Sequence, residues 1–280
     1  VTEPAALRTA IGRYAETAAL LDGRVAVPGL SLVFEHPAPI SRAFAPMVRQ
    51  ARYEVSEMAI ATFLMARAAG LPLVLLPVVL AARFQEAALL CRADAPITGP
   101  ADLAGARIAV RAYSQTTGMW LRGALAELHG VRASEQRWTT FEDAHLPGFQ
   151  DPPWVSRAAP GEELLALLQS GRVEAAIFGN DLPDMAGLRT VFPDVAAAGA
   201  AFEARYGFVP VNHLVVMQRE HAARAPALLE ALAQSGVRVQ TRAALSPALS
   251  VAIRFCAEQG LLPGGLSLEQ AWEGLPEAVA

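Results

Sequence analysis

Pro100-Ala101-Asp102-Leu103-Ala104-Gly105-Ala106-Arg107-Ile108-Ala109-Val110 is the stretch on which the fold turns. Residues 97–105 make a short capped turn of helix, and Arg107 to Val110 is an apolar strand. The loop Arg111 to Thr116 then leads into a helix from about Thr117 to His129, closed by Gly130. Trp120, Leu121, Ala124, Leu125 and Leu128 give that helix one apolar face. A strand that passes through a short loop into a helix is half of a parallel-sheet unit. Further on, residues 139–161 are rich in Pro, Gly and polar groups and are predicted as a long loop. Glu162 to Ser170 is predicted as a helix ended by Gly171, Val173 to Phe178 as a strand and Leu214 to Met217 as a late strand. The remainder is mostly helical. Towards the N-terminus, Arg24 to Phe34 is predicted as two strands around a turn at Pro28-Gly29, and Ala43 to Ala51 as a helix. Tyr53 to Val55 is a short strand, and Ser56 is placed to cap a helix that runs to about Ala69 before Gly70. Leu73 to Val79 and Ala87 to Cys91 are buried strands. Short apolar strands alternating with longer helical patterns predict an α/β fold, with mainly parallel sheets flanked by helices.

The chain has 280 residues, 53% of them hydrophobic, which is enough for one large domain or two lobes. Its formal net charge of -4 comes from mixed charges with no basic stripe, which argues against a nucleic-acid partner. All 23 basic residues are arginines. This excludes a lysine Schiff base and a phosphate-loop lysine, and leaves Arg as the fixed cation for holding a carboxylate. Cys91 and Cys256 stand far apart and form no CxxC pattern, so two buried free thiols are expected. The apolar run Leu71 to Ala82 is too short to cross a bilayer and contains Pro72 and Pro77, so no membrane span is expected. Val1-Thr2-Glu3-Pro4 lacks the charged start and apolar stretch of a secretion signal. A cytoplasmic location is therefore expected, or a periplasmic one if a signal precedes Val1. There is no HExxH, no GxSxG, no Walker loop and no GxGxxG, so no metal and no cofactor are expected.

Several pieces share an order and spacing: Tyr53 to Met58, Pro100 to Val110, Tyr113 to Gly123, Gly171 to Ala176, Phe192-Pro193-Asp194 and Pro210 to His213. Together they resemble the 4,5-dihydroxyphthalate decarboxylase-like proteins, a branch of the type II periplasmic-binding-protein superfamily. The resemblance runs from about Ile11 to Leu232. It implies two lobes closing like a flytrap on a ligand cleft, joined by crossover strands at Ala87–Cys91 and Leu214–Met217. Lobe one is then 1–91 with 218–280, and lobe two is 92–217. The family carries an arginine and an arginine–histidine pair near the stretch that here reads Ala81-Ala82-Arg83-Phe84-Gln85-Glu86. Arg83 stands one place from the first arginine, and Gln85-Glu86 replaces the pair.

The loop Tyr113-Ser114-Gln115-Thr116-Thr117 follows a strand and opens a helix, where free N–H groups and hydroxyls suit an anion. Capping of the helix by Thr116 or Thr117 is the plainer alternative. Ser56 and Glu57 occupy the matching position in lobe one, where Ser56 caps or binds and Glu57 meets the helix dipole or a ligand hydroxyl. Arg13 and Tyr14 are candidate carboxylate clamps, or else surface residues. Arg83 lies between a buried strand and the first crossover. Asn180 follows the strand ending at Phe178 and is either a ligand contact or part of a turn. His213 is the candidate general acid, with Glu57 as its substitute, unless it serves only the structure.

The resemblance implies a small anionic, aromatic carboxylate ligand and a metal-independent carboxy-lyase. In such a reaction a general acid protonates the ring carbon that bears the carboxylate, and carbon dioxide leaves. The alternative is a solute-binding or sensing protein without chemistry. The oligomeric state is open.

Overall fold

The computed structural model describes residues 6–279. The chain begins with β1 (Leu7–Ala10), a short α1 (Ala18–Leu21), β2 (Leu32–Phe34), α2 (Phe44–Gln50), β3 (Val55–Ala59), α3 (Ile60–Ala68) and β4 (Leu73–Ala82). It continues with β5 (Leu89–Arg92), β6 (Arg107–Val110), α4 (Thr116–His129), β7 (Arg137–Thr140), β8 (Val155–Arg157), α5 (Leu164–Gln169), β9 (Ala175–Ile177), β10 (Leu188–Thr190) and α6 (Val195–Tyr206). β11 (Val211–Gln218), α7 (Ala225–Ser235), α8 (Arg242–Glu258) and α9 (Leu268–Trp272) complete it. The described strands form two sheets, ordered β2-β1-β3-β11-β4 and β10-β5-β9-β6-β7-β8. β2, β1 and β3 run parallel, as do β9, β6, β7 and β8. β11 is antiparallel to both its neighbours, and β5 to both of its own. This is the α/β architecture that the alternation of strands and helices predicts, in the two lobes that the family resemblance implies.

Sheet membership marks where the chain changes lobes. It leaves the first sheet after β4, enters the second with β5, and returns with β11. The expected second lobe, 92–217, therefore includes nearly all of β11, a strand that pairs in the first sheet. The run Val-Asn-His-Leu-Val-Val-Met-Gln is buried almost throughout, as a central strand covered on both faces must be.

Other local expectations are shifted by tertiary pairing. The helix expected from Ser56 begins at Ile60, because Ser56 pairs with Ala10 and Glu57 with Val215, which holds both residues extended in β3. Between Arg24 and Phe34, β2 alone is a strand, along the edge of the sheet. Within the predicted loop 139–161, β8 adds an exposed edge strand beside β7. Helix α6 was not anticipated. It buries little, and Asp194 starts it by accepting a hydrogen bond from the Ala197 N–H at 2.9 Å. Cys91 and Cys256 are buried and free.

The lobes are clasped by helices. The indole N–H of Trp120 on α4 donates to the Val211 carbonyl of β11 at 2.7 Å. Gly123 on α4 meets Phe255 on α8 so closely that an added Cβ would fall 1.9 Å from the ring. Phe44, Phe63, Trp120, Trp138, Phe255 and Trp272 belong to one buried cluster that spans both sheets. Each large apolar side chain in it contributes roughly 1.5–3 kcal/mol by leaving water.

Candidate functional site

Glu57 is wholly buried on β3 and accepts three hydrogen bonds. They come from the Gly12 N–H at 2.8 Å, the Tyr14 hydroxyl at 2.6 Å and Nδ1 of His213 at 2.6 Å. These donors come from the ends of the two strands that flank β3 in the sheet. Gly12 and Tyr14 follow β1, and His213 lies on β11 opposite Ala59 at the end of β3. An added Cβ at Gly12 would lie 2.7 Å from the Tyr14 hydroxyl, which folds back over the chain there, so a larger residue would have to displace that ring. Thr17 ties the same loop, donating to the Gly12 carbonyl at 2.7 Å and accepting from the Tyr14 N–H at 2.9 Å. The pairing of β11 with β4 shifts register on both sides of His213, a local irregularity of the kind that re-aims a side chain. Burial first, and then the Glu57 charge, raise the Tyr14 hydroxyl far above the ordinary phenol range, so it stays protonated and donates. With Glu57 accepting, His213 carries a hydrogen on Nδ1, and no hydrogen bond occupies its Nε2 among the described residues.

The two lobes meet at the starts of α3 and α4. The Ala61 N–H of α3 donates to the Thr116 hydroxyl of α4 at 3.3 Å. Arg83, just past β4, reaches the Thr117 hydroxyl at 3.2 Å. Arg83 is half buried, has no ion-pair partner among the described residues, and its buried Nε has no hydrogen-bond partner. Burial lowers its pKa from the ordinary arginine value. Gln115 brings its side-chain amide close to Gly179, and its buried Oε1 is unpartnered. Gln85 donates to the Arg83 carbonyl at 2.7 Å and to Asn212 Oδ1 at 2.8 Å. Glu86 is buried with Oε2 unpartnered, and its carboxyl is pushed up by desolvation.

A second station lies farther along the same junction. Arg111 follows β6, Phe141, Glu142 and Asp143 follow β7, and Arg157 ends β8. Ser41, Arg42 and Arg49 face them from α2 and the turn before it, around a cleft of about 600 Å³. Arg49 donates to the Ala144 and His145 carbonyls at 2.8 and 2.9 Å, and Nδ1 of His145 lies 2.9 Å from the Thr62 hydroxyl. Phe44 stands between the stations, edge-on to His213 at 5.1 Å and to His145 at 5.9 Å.

Several sequence candidates lie elsewhere. Arg13 is exposed and pairs with Asp22 at 2.7 Å, because its loop turns it to solvent. Ser56 donates to the Glu57 carbonyl, and strand alternation turns it from the face that Glu57 occupies. Tyr113 is buried in lobe two, its ring 4.0 Å from the Arg122 guanidinium and its hydroxyl accepting from Trp154 at 2.9 Å, so packing accounts for it. Asn180 is exposed, and Ser114 is buried without a hydrogen bond among the described residues. The arginine station and Phe44 were missed. The signal was available for Arg111, which follows the predicted strand Arg107 to Val110, but not for Arg157, which ends a strand hidden in the predicted loop. Among the described residues no His, Cys, Asp or Glu cluster can hold a metal ion, and no helix is long and apolar enough to cross a membrane.

No family model matches the chain. The chain is 31% identical to a 4,5-dihydroxyphthalate decarboxylase of Pseudomonas putida over 61% of its own length and 69% of that protein's. It is 28% identical to the Comamonas testosteroni protein of the same name, over 90% of this chain and 81% of that one. The periplasmic aliphatic sulphonate binding protein SsuA of Escherichia coli is similar in structure, with a TM-score of 0.55 and 16% identity over 98% of this chain and 84% of that one. The expected cytoplasmic location does not stand. It rested on the first four residues, whereas the solved structure that shares the fold along almost the whole chain is a periplasmic protein. With relatives at these identities and this architecture, the chain belongs to the 4,5-dihydroxyphthalate decarboxylase family, on the two-lobed type II periplasmic-binding-protein fold.

Proposed function

We propose that the junction between the lobes closes on a small aromatic carboxylate. The observation that carries this reading is Arg83, a half-buried guanidinium with no carboxylate partner among the described residues, which touches Thr117 at the start of α4. A cation held by burial next to the free N–H groups of a helix start has unmet capacity for an anion. Gln115, with its buried free carbonyl oxygen, adds an acceptor for a ring hydroxyl. Binding without chemistry needs nothing more.

A second reading is favoured by the Tyr14–Glu57–His213 group. Glu57 orients the imidazole through Nδ1 and leaves Nε2 for a ligand, the arrangement a proton-transferring histidine needs. In that reading a ring hydroxyl para to the carboxylate supplies electrons, His213 in its doubly protonated form gives its Nε2 proton to the carbon bearing the carboxylate and keeps the Nδ1 hydrogen directed at Glu57, and carbon dioxide leaves as the ring regains aromaticity. The replacement of the family's arginine–histidine pair by Gln85-Glu86, with Gln85 engaged by Asn212, weighs towards binding alone.

A thermal-shift series with 4,5-dihydroxyphthalate, phthalate, benzoate and an aliphatic sulphonate, followed by assay for carbon dioxide, tests both readings. The aromatic carboxylates should stabilise the protein more than the sulphonate does. Absence of any saturable shift with the aromatic set would remove the binding reading. A shift without carbon dioxide would remove the enzymatic one.

A further inference from the structure

The arginine-lined cleft plays no part in either reading. Four guanidinium groups, from Arg42, Arg49, Arg111 and Arg157, face it, with the two carboxylates Glu142 and Asp143. Arg111 is paired with Glu142 and Arg157 with Asp143. Arg49 gives its Nε–H and one Nη2–H to two backbone carbonyls, which carry no charge, and Arg42 has no ion-pair partner among the described residues. Two positive charges are thus left uncompensated in one concavity. His145, on the same wall, is depressed to about 4, by burial first and then by Arg111 and Arg49. Burial favours the neutral imidazole, and the neighbouring guanidinium groups add to that preference.

Position supports the same conclusion. β6, β7 and β8 are adjacent and parallel, and their carboxyl ends form one wall, the side of an open α/β sheet on which ligands sit. The opposite wall comes from the first lobe, through α2 and the turn before it. A volume of about 600 Å³ exceeds that of a simple ion and suits a small organic molecule, with Phe141 and Ala45 as its apolar contacts. Phe44 separates this space from His213 and Glu57.

We propose that this cleft is a second ligand site, for a small organic dianion gripped by Arg42 and Arg49 from one lobe and by Arg111 and Arg157 from the other. A dianion matches the two uncompensated charges, and guanidinium forks suit its oxygens. Because its walls belong to different lobes, the bound molecule also holds the lobes together.

The test uses the whole chain, with phenyl phosphate and glutarate as probes and sodium chloride at matched ionic strength as the control. Thermal shift reads binding, and the imidazole proton resonances read the titration of His145. At least one probe should stabilise the protein saturably and move His145 towards a higher pKa, since a bound anion favours the imidazolium. Arg42→Gln, at an exposed and unpaired position, leaves the fold intact and should weaken that probe about tenfold or more, the effect of roughly 1.4 kcal/mol. Arg83→Gln should leave the response unchanged. The proposal is overturned if neither probe exceeds chloride, if His145 does not respond, if Arg42→Gln binds as the wild type does, or if Arg83→Gln abolishes the effect.

Discussion

The two stations of the interlobe junction solve opposite electrostatic problems. Around Glu57 one buried carboxylate is surrounded by three donors. Around His145 positive groups outnumber negative ones, and the histidine is kept neutral. Phe44 touches both imidazoles, so one aromatic ring divides two environments of opposite sign. The comparison teaches that a histidine's role here is set by its partner. His213 has a carboxylate at 2.6 Å and His145 has a hydroxyl at 2.9 Å, although both lie against the same ring.

The sharpest way to break the comparison is His213→Gln. If His213 delivers the proton, turnover should fall roughly 10²–10⁴-fold while ligand affinity changes little, as measured by carbon dioxide release and calorimetry. Unchanged turnover would take His213 out of the chemistry.

Glu57→Ala should lower stability by about 3–5 kcal/mol, because it strands three buried donors at once. Urea unfolding measures the loss. A change under about 1 kcal/mol would mean that water replaces the carboxylate and that the inner station is not closed.

Acid should act on the outer station. His145 is depressed to about 4 in the folded protein, against about 6.5 for a free imidazole. Between those values the unfolded chain takes up a proton that the folded chain refuses. The contribution of His145 is therefore complete above about pH 6.5 and is lost as pH falls towards 4, by on the order of 3 kcal/mol. Subtracting the stability curve of His145→Gln from that of the wild type should isolate this slope. Parallel curves would show that His145 is not held neutral.

Arg83→Gln should weaken an aromatic carboxylate about tenfold to a hundredfold, the effect expected for one charge-assisted hydrogen bond, while leaving stability nearly unchanged. Calorimetry with phthalate distinguishes this from a bystander, whose removal leaves affinity as it was.

The smallest effect concerns the clasp that holds both stations. Gly123→Ala should cost about 1–3 kcal/mol, because the new Cβ must displace the Phe255 ring. A neutral result would show that α4 and α8 slide freely past each other.

By itself the sequence determined the alternation of strands and helices, and with it an α/β fold. Periodicity is a local property, and α4, with its Gly130 stop, is legible from one face of apolar residues. The order of motifs determined the family, and the strand-to-helix loop drew attention to Thr116 and Thr117. What was lost lay in pairing. Ser56 looks like a helix cap until β1 and β11 hold it extended, since strand partners distant in sequence override a local preference. β8 and α6 bury too little to print a strong pattern. Only the tertiary structure decided which candidates meet. It joined Tyr14, Glu57 and His213 across 43 and 156 residues of chain, and turned Arg13 and Tyr113 away. It also gathered arginines from both lobes into one cleft. The physical reason is that a charge acts through space, so the meaning of an ionisable residue depends on neighbours that no local window contains.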